Sequence, residues 1–335
     1  MKLHRPQVGD ALSLVELDLY HRLMAYRLGL GLSAISFSGS LITTAGRHAA
    51  DTYYNIWAAG KALPAGANLH SWSDAPYFDD HRDPDVMWFA PQRLGTPYTS
   101  EGIEISAAGY GDGAAALEGW KGSPGHNTVI VNSGVWQSVD WRAIGIGVLN
   151  DLPAVGPYGG RVYHVWFGAA SDPAGPPLIR GSGAAERISG TPFDDLIDGS
   201  GGNDIIQGGL GSDRLIGGPG NDRLTGGAAA DTFRFDSTLN SRTNHDRITD
   251  FKPAQGDRIE LARSIVPALP AGDSLAAAAF HTGSRFTSRA QRILYNPSLG
   301  TLSYDSNGSA AGGTAAVFAT LLKPPSLSHT HFTIA

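Results

Sequence analysis

Apolar residues recur at helical spacing near the start of the chain, where Leu17, Tyr20, Leu23 and Met24 follow Ser13-Leu14-Val15-Glu16. Ser and Glu three apart form a capping box, so an amphipathic helix is predicted over 13–28. A Gly/Ser loop over 29–40 leads to a second helical stretch from Leu41 to about Tyr54, with Ala45, His48 and Ala49 on one side. Residues 60–100 carry Pro, Asp, Gly and aromatics without periodicity and read as a long ordered loop. A short helix is predicted over 113–120, then a turn over 121–127. Two strands follow, 141–149 and 161–167, expected to pair antiparallel. The stretch after Gly168, Ala-Ser-Asp-Pro-Ala-Gly-Pro-Pro, reads as a linker.

From 181 to 234 the pattern changes to a nine-residue unit repeated six times: GSGAAERIS, GTPFDDLID, GSGGNDIIQ, GGLGSDRLI, GGPGNDRLT and GGAAADTFR. Glycine opens every unit. The sixth place holds Glu186, Asp195, Asp204, Asp213, Asp222 and Asp231; the eighth holds Ile188, Ile197, Ile206, Leu215, Leu224 and Phe233. Glycines permit the positive φ of tight turns, and the x-apolar-x segment fits a three-residue strand with its middle side chain inward. Two units make one coil turn, which stacks Glu186, Asp204 and Asp222 in one column and Asp195, Asp213 and Asp231 in the other.

Bare carboxylates about 5 Å apart would repel by roughly 3 kcal/mol at an effective dielectric near 20. A hard divalent cation with oxygen ligands turns the same columns into cages, so all six acids are candidate calcium ligands. A flexible Gly/Asp linker would not keep an apolar residue at a fixed place in each unit. The units resemble the calcium-binding nonapeptide repeat of RTX proteins, which implies a parallel β-roll. Three copies depart from that pattern: the first has Glu186, the second lacks paired glycines, and the last has Ala228-Ala229-Ala230. Their sites are expected to be weak or absent.

Beyond the repeat, short strands are expected at 292–295 and 301–304 around Pro297-Ser298-Leu299-Gly300, 315–322 is another apolar run, and Asp246-Arg247-Ile248-Thr249-Asp250-Phe251 and Asp257-Arg258-Ile259-Glu260-Leu261 precede them. This region resembles the C-terminal cap of RTX proteases, which implies an uncleaved signal for type I export, with 331–335 as its apolar tail.

The 335 residues exceed one typical domain. Glycine, at 44 residues, is enriched in the repeat, and the formal charge of −6 argues against nucleic acid. No cysteine is present. Acidic and basic residues interrupt the N-terminus, so no secretory signal is read there, and the Gly-broken stretch 28–37 is too short to span a bilayer. The expectation is an extracellular protein exported without an N-terminal signal.

No H-E-x-x-H occurs, there is no thiol nucleophile, and Lys121 stands where a G-x-S-x-G elbow needs its first glycine. Residues 14–168 resemble the CAP superfamily of cysteine-rich secretory and pathogenesis-related proteins in its bacterial form. The likeness rests on Leu41…Ala45…His48-Ala49…Asp51, on Trp120-Lys121-Gly122-Ser123-Pro124-Gly125-His126-Asn127, on Ile144-Gly145-Ile146-Gly147-Val148, and on Tyr163-His164-Val165-Trp166-Phe167-Gly168.

The resemblance implies an α-β-α sandwich over 1–170. A linker at 171–180, the β-roll at 181–234 and a β-rich cap and export domain at 235–335 complete the expected organisation. It also implies a cleft with two histidines and two acids, able to hold Zn²⁺ or another divalent ion. His126 and His70 match the histidines and Glu104 the first acid; Glu118 and Glu101 are candidates for the second. His70, Glu104 and His126 are thus the candidate catalytic set. His48, among alanines, is expected to pack, and Trp72, Trp88 and Tyr98 to pin the loop. Three functions follow: a secreted binding protein for a lipid, peptide or surface ligand, a hydrolase around a metal-bound water, or a structural or adhesive surface protein.

Overall fold

The computed structural model describes residues 10–272, 274–310 and 315–335. The chain divides into two compact units, Met1–Leu178 and Ile179–Ala335.

In the first unit, helix α1 (Leu14–Gly29) opens with the capping box, Ser13 and Glu16 bonding each other's backbone amides. Helix α2 (Gly39–Ala50) continues directly into a π-helical stretch, Asp51–Trp57. Asp172 fixes its start: the carboxylate accepts from the Ser40 amide at 2.7 Å and from the Ser38 hydroxyl at 2.6 Å. Strand β1 (Gly102–Ala108), helices α3 (Gly113–Lys121) and α4 (Pro124–Ile130), and strands β2 (Ala143–Leu149) and β3 (Val162–Gly168) complete the frame.

β3 lies between β1 and β2, antiparallel to both. The expected pair of strands is therefore present, with β1 as a third partner. Their side chains do not alternate in burial, because both faces of the sheet are covered. One face carries Glu104, Ser106, Gly145, Gly147, His164 and Trp166 in register and meets α2. Gly145 and Gly147 let α2 lie on β2, since a methyl at either would overlap the backbone of Leu41 or Ala45.

The turn expected over 121–127 is shorter than that. Pro124 occupies the first turn of α4, where its missing N–H costs nothing and its fixed φ favours a helix. Residues 60–100 are a loop as expected, broken by two four-residue helices, Asp85–Trp88 and Ala90–Arg93. Trp72, Tyr77, Met87, Leu94 and Tyr98 pack it onto Leu41, Ala45 and Trp166.

In the second unit, strands alternate between two sheets as the nonapeptide predicts. One sheet joins 196–198, 214–216, 232–235, 258–261 and 332–334, all parallel. The other joins 187–189, 205–209, 223–227, 246–248 and 316–321, also parallel, then continues antiparallel through 301–304 and 293–296. Ile188, Ile206, Leu224, Ile248 and Leu321 stand in register on one, and Ile197, Leu215, Phe233, Ile259 and Phe332 on the other, all at most 1% exposed. Residues past 234 thus extend both sheets, and the apolar tail at 332–334 is a buried strand of one of them.

No helix among the described residues is long and apolar enough to cross a membrane.

Candidate functional site

Strand periodicity and helix position together assemble a buried polar cluster in the first unit. Glu104 on β1 and His164 on β3 point toward α2, which supplies His48. Oε1 of Glu104 lies 2.6 Å from His48 Nδ1 and 2.7 Å from His164 Nδ1, and its Oε2 lies 2.8 Å from His70 Nδ1. His48 is stacked between Trp72 at 4.2 Å and His164 at 3.9 Å, and its Nε2 donates to the Ser71 carbonyl at 3.1 Å. Ser106 joins the network, its hydroxyl 2.8 Å from His164 Nδ1.

Burial alone would raise the Glu104 carboxyl, but the imidazoles of His48 and His164 outweigh it and hold it well below the usual range. Burial and the neighbouring His48 push His164 down to about 4. The ligand atoms of His48, Glu104 and His164 lie within 4.8 Å of one another, close enough to suggest a metal. Yet two ligands on a tetrahedral zinc stand about 3.3 Å apart, given Zn–N bonds of about 2.0 Å. The observed 2.6–2.7 Å is hydrogen-bond geometry, so both imidazoles bond to the Glu104 carboxylate.

His70 and His126, with ring centres 6.5 Å apart, share a cavity of about 460 Å³ with Glu104 at its base. Glu104 occupies His70 Nδ1, which leaves Nε2 for a ligand; the arrangement matches a metal-binding histidine oriented by a carboxylate. His126 Nδ1 is 2.8 Å from the Ser123 hydroxyl, and burial followed by repulsion from His70 lowers its pKa.

The structure thus brings His70, Glu104 and His126 together. It does not bring the candidate second acids: Glu118 pairs with Lys121 at 2.7 Å on the surface and Glu101 is exposed. Among the described residues lining the cavity, Glu104 is the only carboxylate. Packing describes His48 only in part, since it also bonds Glu104. Trp72 and Tyr98 are buried, Tyr98 donating to the Ala170 carbonyl at 3.0 Å, whereas Trp88 lines the cavity. The one signal for His164 in the sequence is a histidine inside an otherwise apolar strand, which is buried on both faces.

The second unit holds the two carboxylate columns. The amides of Glu186 and Asp204 donate to Oδ1 of Asp204 and Asp222 at 2.8 Å each. In the other column, those of Asp195 and Asp213 donate to Asp213 at 2.9 Å and Asp231 at 3.0 Å. The second oxygens of Asp204, Asp213, Asp222 and Asp231 are buried without a partner. Each lies where a Cβ on its unit's first glycine would stand, so that glycine is obligatory.

Burial, with the neighbouring carboxylates adding to it, raises Asp213 to about 7 and Asp222 and Asp231 to about 6. A buried anionic oxygen without a donor is costly unless protonated or bound to a cation, and oxygen donors suit a hard one. The first two units differ: Glu186 is held by Ser182 and Asp195 by the Thr191 amide at 2.5 Å. The last unit, despite its alanines, keeps the orphaned oxygen of Asp231.

Residues 180–215 and 207–237 match the RTX calcium-binding nonapeptide repeat, and the chain carries such repeats. No curated protein matches the chain. Among solved structures, a subunit of the Azotobacter vinelandii mannuronan C5-epimerase is similar at 28% identity, over 46% of this chain and 80% of that one, with a TM-score of 0.31. An extracellular SCP-domain protein from Bacillus anthracis is similar at 19% identity, over 48% of this chain and 41% of that one, TM-score 0.31. A cysteine-rich secretory protein from Staphylococcus aureus is similar at 14%, over 47% and 38%, TM-score 0.30. The chain thus spans about two fifths of these last two.

Proposed function

We propose that the protein is an extracellular calcium-loaded binding protein, in which a CAP-like α-β-α unit holds a lipid, peptide or surface ligand and an RTX β-roll binds calcium. The observation that carries it is the set of four buried, unpartnered carboxylate oxygens on Asp204, Asp213, Asp222 and Asp231. These four are the principal calcium ligands, with Glu186 and Asp195 as end positions of lower affinity. The region after 234 acts as an RTX-protease-like cap that carries the type I export signal.

Isothermal titration of the chelator-treated full chain tests the calcium assignment. Millimolar-range binding is expected, the regime of extracellular modules, and Asp213→Asn with Asp222→Asn should remove most of it. Unchanged heats in the double variant would defeat the assignment.

The contact between Glu104 and His70 favours one further reading of the cleft. His70 and His126 would hold a zinc-class ion, which supplies Lewis-acid polarisation and an activated water to a hydrolase. Glu104 orients His70, and Ser123 orients His126. Titration with Zn²⁺ of the wild type against His70→Ala and His126→Ala decides it: zinc binding that neither substitution changes would leave both histidines structural.

A further inference from the structure

The two outward faces of the second unit treat their arginines differently. On the sheet that joins 196–198, 214–216, 232–235 and 258–261, the residues flanking each buried apolar side chain form two rows, Leu196, Arg214, Thr232 and Arg258 in one and Asp198, Ile216, Arg234 and Glu260 in the other. Acids answer the bases there. Glu260 pairs with both Arg214 and Arg234, Arg180 lies 3.8 Å from Asp198, and Arg258 donates to the Thr330 carbonyl at 3.1 Å.

On the other sheet the first row is Arg187, Ile205, Arg223, Arg247 and Thr320, and the second is Ser189, Gln207, Thr225 and Thr249. Ile188, Ile206, Leu224 and Ile248 between them are buried, so both rows face outward. Neither row holds a carboxylate. Arg223 and Arg247 are direct partners on neighbouring strands, about 4.8 Å apart, and Arg187 stands two strands from Arg223. All three are exposed. Among the described residues, the ion pairs of this unit use Arg180, Arg214 and Arg234 and none of these three.

Like charges directly opposite one another on a sheet repel. The repeat does not require them, since the same place holds Leu196, Ile205 and Thr232 in other units. Two neighbouring guanidinium forks without a counter-charge suit an oxyanion, which each can bind through two parallel hydrogen bonds.

The neighbouring side chains narrow down what carries that anion. Single-stranded nucleic acid is held by aromatic rings stacked on its bases, and neither row has one. An anionic membrane surface calls for a cluster of roughly four to eight basic residues, more than this face offers. An acidic sugar carries a carboxylate, hydroxyls and a C–H face on one ring, which match the arginines, the Ser189-to-Thr249 row and Ile205 together.

We propose that this face binds an acidic polysaccharide, with its carboxylates on Arg223 and Arg247 and its hydroxyls on the row from Ser189 to Thr249. The site belongs to the second unit alone and uses neither the cleft nor the carboxylate columns, so it stands or falls independently of the cleft ligand.

Isothermal titration of the calcium-loaded full chain with tetragalacturonate tests it, beside cellotetraose as the neutral sugar, tetraglutamate as the acidic peptide and a thymidine pentanucleotide. Tetragalacturonate is expected to bind, and to bind more weakly as salt rises from about 20 to about 200 mM. Arg223→Gln with Arg247→Gln is expected to weaken it at least about tenfold. Arg258→Gln with Arg263→Gln, an equal loss of charge at the other sheet, should leave it unchanged. All four side chains are exposed, and removing the repulsion should leave the Arg223/Arg247 variant melting no lower than the wild type. Equal weakening by both double variants would reduce the effect to general attraction, and a lower melting temperature would make the two arginines structural. Either result overturns the proposal, as does cellotetraose, tetraglutamate or the nucleotide binding as tightly as tetragalacturonate, or no binding of tetragalacturonate at all.

Discussion

The main-chain amide of Asp222 donates to Oδ1 of Asp246 at 3.0 Å, the same rung that joins Asp204 to Asp222 one turn earlier. Asp231 and Asp257 repeat it at 3.1 Å in the other column. Both columns therefore run past the repeat into the region that follows it. Asp246→Ala should strand a buried donor and lower stability by about 1–3 kcal/mol, while Asp246→Asn, which keeps the acceptor, should recover most of that. Urea denaturation in chelator reads the difference, and equal midpoints for the two variants would show that the rung carries no weight.

Ala229 occupies the fourth place of the last unit, where Gly202, Gly211 and Gly220 stand in other units, and it adopts φ +74. An L-residue pays about 1–2 kcal/mol there, against roughly 0.5–1 kcal/mol of chain entropy that glycine adds to the unfolded state. Ala229→Gly is thus expected to stabilise the second unit by about 0.5–1 kcal/mol. Thermal denaturation at fixed calcium measures it. A lower melting temperature would mean that the strain is relieved elsewhere.

The columns were legible because period and register coincide: rungs within the repeat join residues 18 apart, two nonapeptides. After Asp222 and Asp231 the spacing becomes 24 and 26 residues, which hid Asp246 and Asp257 although the rung geometry is unchanged. In the first unit, His70, Glu104 and His126 came only from the family likeness, since nothing in their spacing forces a loop, a strand and a helix together. His164 was hidden because β3 is buried on both faces, which erases the alternation that would have placed it beside Glu104 and Ser106.

The α2–β2 contact offers a sharper test of packing than any side-chain truncation. Gly145→Ala and Gly147→Ala each drive a methyl into helix backbone, which cannot rotate away. Overpacking costs about 1–3 kcal/mol, and the upper end applies where no flexible group can yield. Tryptophan fluorescence should register the loss, because all seven tryptophans lie in the first unit. A change near zero would mean that α2 shifts freely on the sheet.

Acid should act on the two units in opposite directions when calcium is absent. In the second unit burial raises Asp195, Asp222 and Asp231 to about 6, Asp213 to about 7 and Asp246 to about 8. Their contribution is full below the unfolded value near 4 and is lost as pH rises through 6 to 8. In the first unit Glu104 is lowered, and its contribution is present above the unfolded value near 4.5 and lost as pH falls through the depressed one. His164, lowered to about 4, contributes above 6.5 and loses that contribution as pH falls toward 4; His126 shifts the same way. Glu16, raised by burial to about 7, opposes them between 4.5 and 7, and Glu16→Gln isolates its share. Calcium needs the ionised carboxylates, so adding it should reverse the sign for the second unit alone, with affinity falling as pH drops through 7 to 6. Scans at pH 5 and 8 in chelator and in calcium, followed by tryptophan fluorescence for the first unit and far-ultraviolet circular dichroism for both, separate these effects. A second unit that is more stable at pH 8 than at pH 5 in chelator would mean that the empty columns do not hold their protons, and the case for a cation resting on those four oxygens would fall with it.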